Sequence, residues 1–198
     1  MAFRVVVLIS GNGSNLQAII DAHAAGTLPV ELVTVMSNRK DAYGLTRATN
    51  AGIPTSYFPL KPFKDAGKTR EEYDAALVAE IQKLNPDLIV LAGWMHILSK
   101  GFVDPFEGKI INLHPALPGQ FDGANAIERA YEAFKKGEIT STGVMVHKVT
   151  AVVDHGEVIC QKAVPILPAD TLADLQERMH STEHELIVEG VRKLATKP

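Results

Sequence analysis

The chain has a single cysteine, Cys160, among its 198 residues. An internal disulfide is excluded, and so is a zinc site built on several thiolates. Aromatic residues make up only 6% of the chain, and no apolar run approaches the roughly 18–20 residues that span a bilayer. Neither sign of charge dominates: 20 lysines and arginines face 23 aspartates and glutamates, a formal net charge of −3. Nucleic-acid and membrane-surface proteins normally carry a basic excess, so neither class of partner is expected. Repeats, low-complexity tracts and charge runs are missing as well. What is present is core material: 46% hydrophobic residues in a length that suits one domain burying roughly 70% of its unfolded surface. The apolar start at residues 5–9 meets glycines too soon for a signal peptide. The expected setting is a reducing one, the cytoplasm.

The first half alternates short β-branched segments with helical ones, the pattern of parallel strands joined by crossover helices. Strands are predicted at 3–9, 32–36, 54–58, 87–92 and 110–113. Helices are predicted at 14–25, with Ser14 and Gln17 as a capping box, at 42–51, and from Thr69, capped by Glu72. That third helix carries Tyr73, Leu77, Ile81 and Leu84 on one stripe. Residues 59–68, with Pro59, Pro62 and Gly67, read as a loop. Later come a helix near 124–136, two β-rich runs at 142–150 and 157–164 around the turn Asp154-His155-Gly156, and a long helix at 171–194. Two β runs so close together read as an antiparallel pair. The fold expected is α/β, Rossmann-like and doubly wound, its mostly parallel sheet extended by an antiparallel C-terminal strand pair. A single domain is expected over 1–198.

A strand, then Ser10-Gly11-Asn12-Gly13-Ser14-Asn15, then a helix is an arrangement suited to an anion. Glycines allow close backbone approach, and the first helical turn offers free N–H groups. A dinucleotide fingerprint would need glycine where Leu16 stands and an acid where Ser37-Asn38 follows the second strand. A Walker loop would need a lysine. A mononucleotide-sized phosphate remains the favoured ligand, with a plain tight turn as the competing reading.

Ligands of open parallel sheets sit beyond the carboxyl ends of the strands. There, residues 110–111 run into Asn112-Leu113-His114-Pro115. Alternation puts Asn112 and His114 on one face, and Pro115 keeps His114 extended. An amide and an imidazole side by side can donate to one developing oxyanion. Residues of this kind at strand ends more often satisfy loop carbonyls, but Asp154 lies in a turn that can reach back over the sheet end. A carboxylate beside His114 is expected to raise its pKa above the ordinary value of roughly 6.5. Ordinary Asp-x-Gly turn chemistry competes for Asp154.

His180-Ser181-Thr182-Glu183-His184 fits the H-x-x-E-H pattern of some zinc peptidases. No segment supplies a third ligand, so no metal is expected. Glu183 still stands out, because Met179, Glu183 and Ile187 share a stripe, and a carboxylate on an apolar stripe usually has a partner or borders a cleft. His147, on an apolar strand, reads as a core histidine that supports the neighbouring loop.

The blocks VVVLISGNGSNLQAIIDA at 5–22, PDLIVLAGWMHILS at 86–99, INLHPALPGQFDG at 111–123 and GVMVHKVTAVVDHGEVI at 143–159 resemble the phosphoribosylglycinamide formyltransferase family, also called glycinamide ribonucleotide transformylases. The LHPALPG form is similar to fungal members. The resemblance covers essentially the whole chain and implies transfer of a formyl group from 10-formyltetrahydrofolate to the amine of glycinamide ribonucleotide, without a metal. It implies catalysis by Asn112, a protonated His114 and Asp154. It places the ribonucleotide at Gly13, Ser14, Asn15, Pro115, His180 and Glu183. Folate is placed at Arg70, Met95, His96, Ile97, Leu98 and Asn112, and at Thr150, Ala151, Val152, Val153 and Asp154. The ribonucleotide half then lies at about 1–100 and the catalytic and folate half at about 86–198. His96 stands where the family usually has arginine, and His155 replaces a small residue beside Asp154. The small-molecule substrates are the implied partners, in a monomer or homodimer. The related formyltetrahydrofolate deformylases are disfavoured because they carry an extra amino-terminal domain. Methionyl-tRNA formyltransferases are disfavoured because they need a carboxy-terminal RNA-binding domain and more basic charge. A non-catalytic phosphate sensor would leave Asn112, His114 and Asp154 without a role.

Overall fold

The computed structural model describes residues 2–196. Along the chain run β1 (Phe3–Ile9), α1 (Ser14–Ala24), β2 (Val30–Ser37), α2 (Tyr43–Asn50), β3 (Thr55–Tyr57), α3 (Lys61–Asp65) and α4 (Arg70–Lys83). Then follow β4 (Leu88–Leu91), α5 (Lys100–Val103), β5 (Ile110–His114), α6 (Ala126–Lys135), β6 (Ser141–Lys148), β7 (Val158–Pro165) and α7 (Leu172–Ala195). The strands form one sheet in the order β3-β2-β1-β4-β5-β6-β7. β1 to β5 pair in parallel, and β6 and β7 are added antiparallel.

Strands of a sheet covered on both sides read as continuous apolar runs. Accordingly Val5 to Ile9 are all fully buried, and their alternation serves two cores. Val5, Val7 and Ile9 join Leu16 and Ile19 of α1 and Leu175, Met179 and Ile187 of α7 on one face. Val6 and Leu8 join Tyr73, Leu77 and Ile81 of α4 and Phe102 of α5 on the other. The order of strands reverses between β1 and β4, so the crevice between their carboxyl ends is where a doubly wound sheet receives ligands. The two exits are tied together there. The Ser10 backbone N–H donates to the Gly93 carbonyl at 3.0 Å, and the Met95 N–H to Ser10 Oγ at 2.9 Å.

Thr69 and Glu72 form the expected capping box of α4, and Thr171 with Asp174 caps α7 in the same way. The box expected from Ser14 and Gln17 does not form. Gly13, at φ 75°, takes the N-cap position, which makes Ser14 the first helical residue, and Gln17 turns to Asp21 and Arg47. Residues 59–68 are not all loop either, since Pro62 sits in the first turn of the short α3, where its missing N–H costs nothing. α5 was not expected from the sequence, its four residues being too few to show a period. No helix among the described residues is long and apolar enough to cross a membrane.

Candidate active site

β5 carries Asn112 and His114 on the face shared with α4. Asn112 is level with Leu91 at the end of β4 and directly opposite His147 of β6. Because β6 runs antiparallel, His147 projects from the same face as Asn112. The chain leaving β6 loops over this face and returns through Asp154-His155-Gly156 to pair again with Lys148, whose N–H donates to the Glu157 carbonyl at 2.8 Å. Only glycine fits at 156, where a Cβ would come within 1.6 Å of the Lys148 carbonyl oxygen. Asp154 itself is left-handed at φ 58°, a strained setting for a non-glycine residue that aims its carboxylate back at the strands.

The three groups expected from the sequence therefore meet. Asp154 Oδ1 lies 3.4 Å from Asn112 Nδ2, and Asp154 Oδ2 lies 3.5 Å from His114 Nδ1. Two further contacts hold the carboxylate: the Gly123 N–H donates to Oδ2 at 2.9 Å, and His147 Nε2 stands 3.4 Å from Oδ1. His147 Nδ1 lies 2.9 Å from the Lys148 carbonyl, which can only accept, so this nitrogen carries hydrogen. Its Nε2 faces both Asp154 Oδ1 and Asn112 Nδ2, the latter 3.3 Å away. Both contacts of the Asn112 amide are long for hydrogen bonds, so one can be exchanged for a ligand oxygen at little cost.

Burial alone would raise Asp154, but hydrogen bonds from His147 and the Gly123 N–H hold it below the ordinary carboxylate range. His114 departs from expectation. Asp154 does favour its proton, yet burial outweighs the carboxylate and brings His114 below its ordinary value. Burial thus works against the resting imidazolium expected from the pairing of residue types. His114 is only 4% exposed, and its Nε2 is buried without a hydrogen-bond partner.

At the end of β1, Gly13 packs so tightly on α2 that a Cβ would lie 2.7 Å from the Gly44 Cα. Asn15 Nδ2 donates to Glu183 Oε2 of α7 at 3.0 Å, joining two of the expected ribonucleotide residues, while Asn15 Oδ1 stays buried and unpaired. Burial pushes the Glu183 carboxyl up, opposed by the Asn15 bond and by His180. Beside this bridge a cleft of about 500 Å³ runs along α7, lined by Ala173, Gln176, Glu177, His180, Ser181 and His184. None of the catalytic trio lines it. The carboxyl ends of β1 and β5 are two strand spacings apart, about 10 Å, which a ribonucleotide spans. Pro115 follows directly on His114 at that end.

The segment after β4, expected to meet folate, alternates. Met95 and Ile97 stand out into solvent, at 69% and 73% exposure, whereas Leu98 packs on the α4-side core. His96 turns inward too: its Nε2 meets Asn38 Nδ2 at 3.0 Å and its ring packs against Tyr73 and Trp94. Burial, then Arg70, keeps it below its ordinary value. Arg70 bonds Asp74 Oδ1 at 2.9 Å and the Ile97 carbonyl at 3.0 Å, and the fully buried Asp74 also takes the Ser99 N–H. Thr150, Ala151, Val152 and Val153 are exposed ahead of Asp154. Two loops thus present bare apolar side chains next to a strained catalytic loop, a surface that fits a flat, partly apolar ligand.

Sequence reasoning missed Arg47. It donates to the Asn12 carbonyl and Oδ1, each at 2.9 Å, and to Gln17 Oε1 at 3.1 Å, and it faces His184, which burial, His180 and Arg47 hold below its ordinary value. No sequence motif marks it, since it lies 35 residues beyond Asn12 on another helix. Among the described residues, the histidines of α7 fall in no group of three with metal-ligand spacing. Among the described residues, the group with ligand spacing is His114, Asp122 and Asp154, with donor atoms within 4.8 Å of one another. These carboxylates are engaged with imidazoles and with the Gly123 N–H.

A doubly wound sheet with Asn-x-His ending β5 and an aspartate folded over it defines a formyl transferase. The formyl transferase family matches residues 3–191, and the chain belongs to it. Within the family it is similar to the phosphoribosylglycinamide formyltransferase of Schizosaccharomyces pombe, 52% identical with 99% of each chain covered. The protein of the same name from Dictyostelium discoideum is 50% identical, with 100% of each chain covered. The crystal structure of phosphoribosylglycinamide formyltransferase from Brucella melitensis superposes with a TM-score of 0.89 at 39% identity, covering 100% of this chain and 98% of that one.

Proposed function

We propose that the chain transfers the formyl group of 10-formyltetrahydrofolate to the amine of glycinamide ribonucleotide, a step of de novo purine biosynthesis. The observation that carries this reading is the meeting of Asn112, His114 and Asp154. Full-length similarity to phosphoribosylglycinamide formyltransferases supports it. Gly13, Ser14 and Asn15 take the phosphate on the N–H groups of the first turn of α1. Glu183 and His180 face the ribose, and Pro115 borders the reacting end. Arg70 meets the acidic tail of folate, Met95 and Ile97 its apolar body, and the backbone of His96 to Leu98 and of Thr150 to Asp154 its pterin. Residues of about 1–100 bind ribonucleotide and residues of about 86–198 bind folate and catalyse, within one domain over 1–198.

As the amine attacks the formyl carbon, Nε2 of the neutral His114 takes the proton that the amine releases. The imidazolium so formed and one N–H of Asn112 face the oxyanion, and Asp154 offsets the new charge. His114 then gives its proton to the departing folate nitrogen. One C–N bond forms as another breaks, and one proton moves from the amine to the leaving nitrogen. Each step uses hydrogen bonding and proton transfer, with no metal. The protein acts on small molecules in the cytoplasm, as a monomer or homodimer, without nucleic acid or membrane.

The test is to incubate the protein with 10-formyltetrahydrofolate, with and without glycinamide ribonucleotide, and to follow deformylation of the folate. Loss that depends on the ribonucleotide is expected. Loss without it would mean a hydrolase, and no loss under either condition would mean a binding protein.

A further inference from the structure

His155 and Asp122 belong to two loops that close over His114. His155 Nε2 donates to Asp122 Oδ2 at 3.0 Å, since a carboxylate oxygen only accepts. The adjacent residue on each side is bonded as well: the Gly123 N–H donates to Asp154 Oδ2 at 2.9 Å. Residues 122–123 and 154–155 are thus joined by two successive bonds, one at the catalytic carboxylate and one outside it. The 121–125 segment is built for this shape, with Phe121, Gly123 and Asn125 all left-handed at φ 49°, 81° and 56°. Arg129 fastens it from α6, through Nη1 to the Asp122 carbonyl at 2.8 Å and by stacking on the Phe121 ring. Asp122 also has a donor oxygen within 4.8 Å of those of His114 and Asp154.

We propose, resting on the function above, that Asp122 and His155 are positioning residues of the reaction: their hydrogen bond straps the Asp154 loop to the loop over β5, and Asp122 presents a second carboxylate to His114. The charged and titratable groups facing His114 are then Asp154, Asp122 and His147, with the Phe121 carbonyl also favouring the proton. Asp122 faces His155 on the outer side, with Arg129 at its carbonyl, while the base of the His155 turn is held by Lys148 and Glu157. The strap makes Asp122 adjustable. Bonded to His155, its charge is shared; released, it acts fully on His114.

The experiment is an NMR titration of the His114 ring in the intact protein, its signal assigned by loss in His114→Gln, for the native chain, Asp122→Asn and His155→Ala. KM for 10-formyltetrahydrofolate is measured alongside. A unit charge about 5 Å away shifts a pKa by about half a unit even in water-like surroundings. Asp122→Asn is expected to lower the His114 midpoint by at least that much. His155→Ala is expected to raise the midpoint and to increase the folate KM about two- to fivefold, the range of an exposed ionic hydrogen bond. His155→Gln, which keeps a donor, restores the KM. A midpoint unmoved by Asp122→Asn, or moved the same way by both substitutions, overturns the second-carboxylate role. An unchanged folate KM in His155→Ala overturns the strap. The titration needs no substrate, so a native protein that transfers no formyl group would refute the function and leave these arms readable.

Discussion

Replacing Asp154 by asparagine removes one charge and almost no volume. The amide can still accept from the Gly123 N–H, so the loop keeps its attachment. What changes is the energy of charging His114, whose Nδ1 lies 3.5 Å from the carboxylate. At an effective dielectric of about 20–40, a unit charge pair at that distance is worth about 2–5 kcal/mol. In the proposed mechanism that stabilisation is absent while His114 is neutral and present once the imidazolium forms. It therefore acts on the transition state selectively, which is the condition for changing kcat rather than KM. The expected result for Asp154→Asn is a fall of roughly 10²- to 10³-fold in kcat, with KM for both substrates within about threefold of the native value. Steady-state kinetics in both substrates checks this, with a thermal melt to confirm folding. The substitution should also carry the acid limb of kcat/KM to lower pH, because His114 then needs a more acidic solution to protonate. A kcat within fivefold of native, or a loss confined to KM, would refute the reasoning that His114 gains its charge beside Asp154.

Glu183→Ala breaks a charge-assisted hydrogen bond to Asn15, worth about 1.5–3 kcal/mol; it should raise the ribonucleotide KM about tenfold or more and leave folate affinity alone, as titration calorimetry with each ligand would show. Gly13→Ala forces a Cβ to within 2.7 Å of Gly44 at a φ of 75°, so a loss of ribonucleotide affinity and about 1–2 kcal/mol or more of stability is expected in denaturant unfolding. Stability should also fall on acidification. His96, His114 and His184 are all held below their ordinary value, chiefly by burial, so the unfolded chain binds more protons than the folded one as the pH falls through about 6.5. Their contribution is complete above that pH and diminishes below it, so the melting temperature should drop between pH 7 and pH 5; a rise over that interval would contradict the burial argument.

The parallel half of the fold was legible because strands covered on both faces are spelled as apolar runs, and residues 5–9 allow no other reading. The convergence of Asn112, His114 and Asp154 was legible because Asn112 and His114 share a strand with period 2, and Asp154 is marked by its turn. His114's protonation was not, since residue types give the sign of Asp154's effect but not the burial that outweighs it. The Ser14 cap failed for a related reason: Gly13 is required by the close approach of Gly44, a contact that lies 31 residues away in sequence and that overrides the local motif. The contacts of Arg47, Asp74 and Asp122 were not legible because each has a partner on another element, and single charged residues on a helix or turn are usually solvated. His96 read as a folate residue by position, but its side chain serves Asn38 and the aromatic core, which leaves only its backbone facing the ligand surface.

The change from parallel to antiparallel pairing at β6 is what brings Asp154 to Asn112 and His114. A sixth parallel strand would place its own amino end beside the amino end of β5 and send its exit beyond the carboxyl edge, far from a returning hairpin. Running antiparallel, β6 sets His147 opposite Asn112 and leaves the sheet level with Ile110, where the Val149 N–H donates to the Ile110 carbonyl. The connection to β7 must then fold back over the face that bears Asn112 and His114, and Gly156 lets it return against Lys148. Asp154 arrives over β5 because the loop between Lys148 and Glu157 is long enough to reach back across the strand before β7 begins. Lengthening this loop by two glycines after Val153 should loosen Asp154 from Asn112 and His114, reducing kcat far more than stability, because the residues 150–153 that precede it bury little of the core.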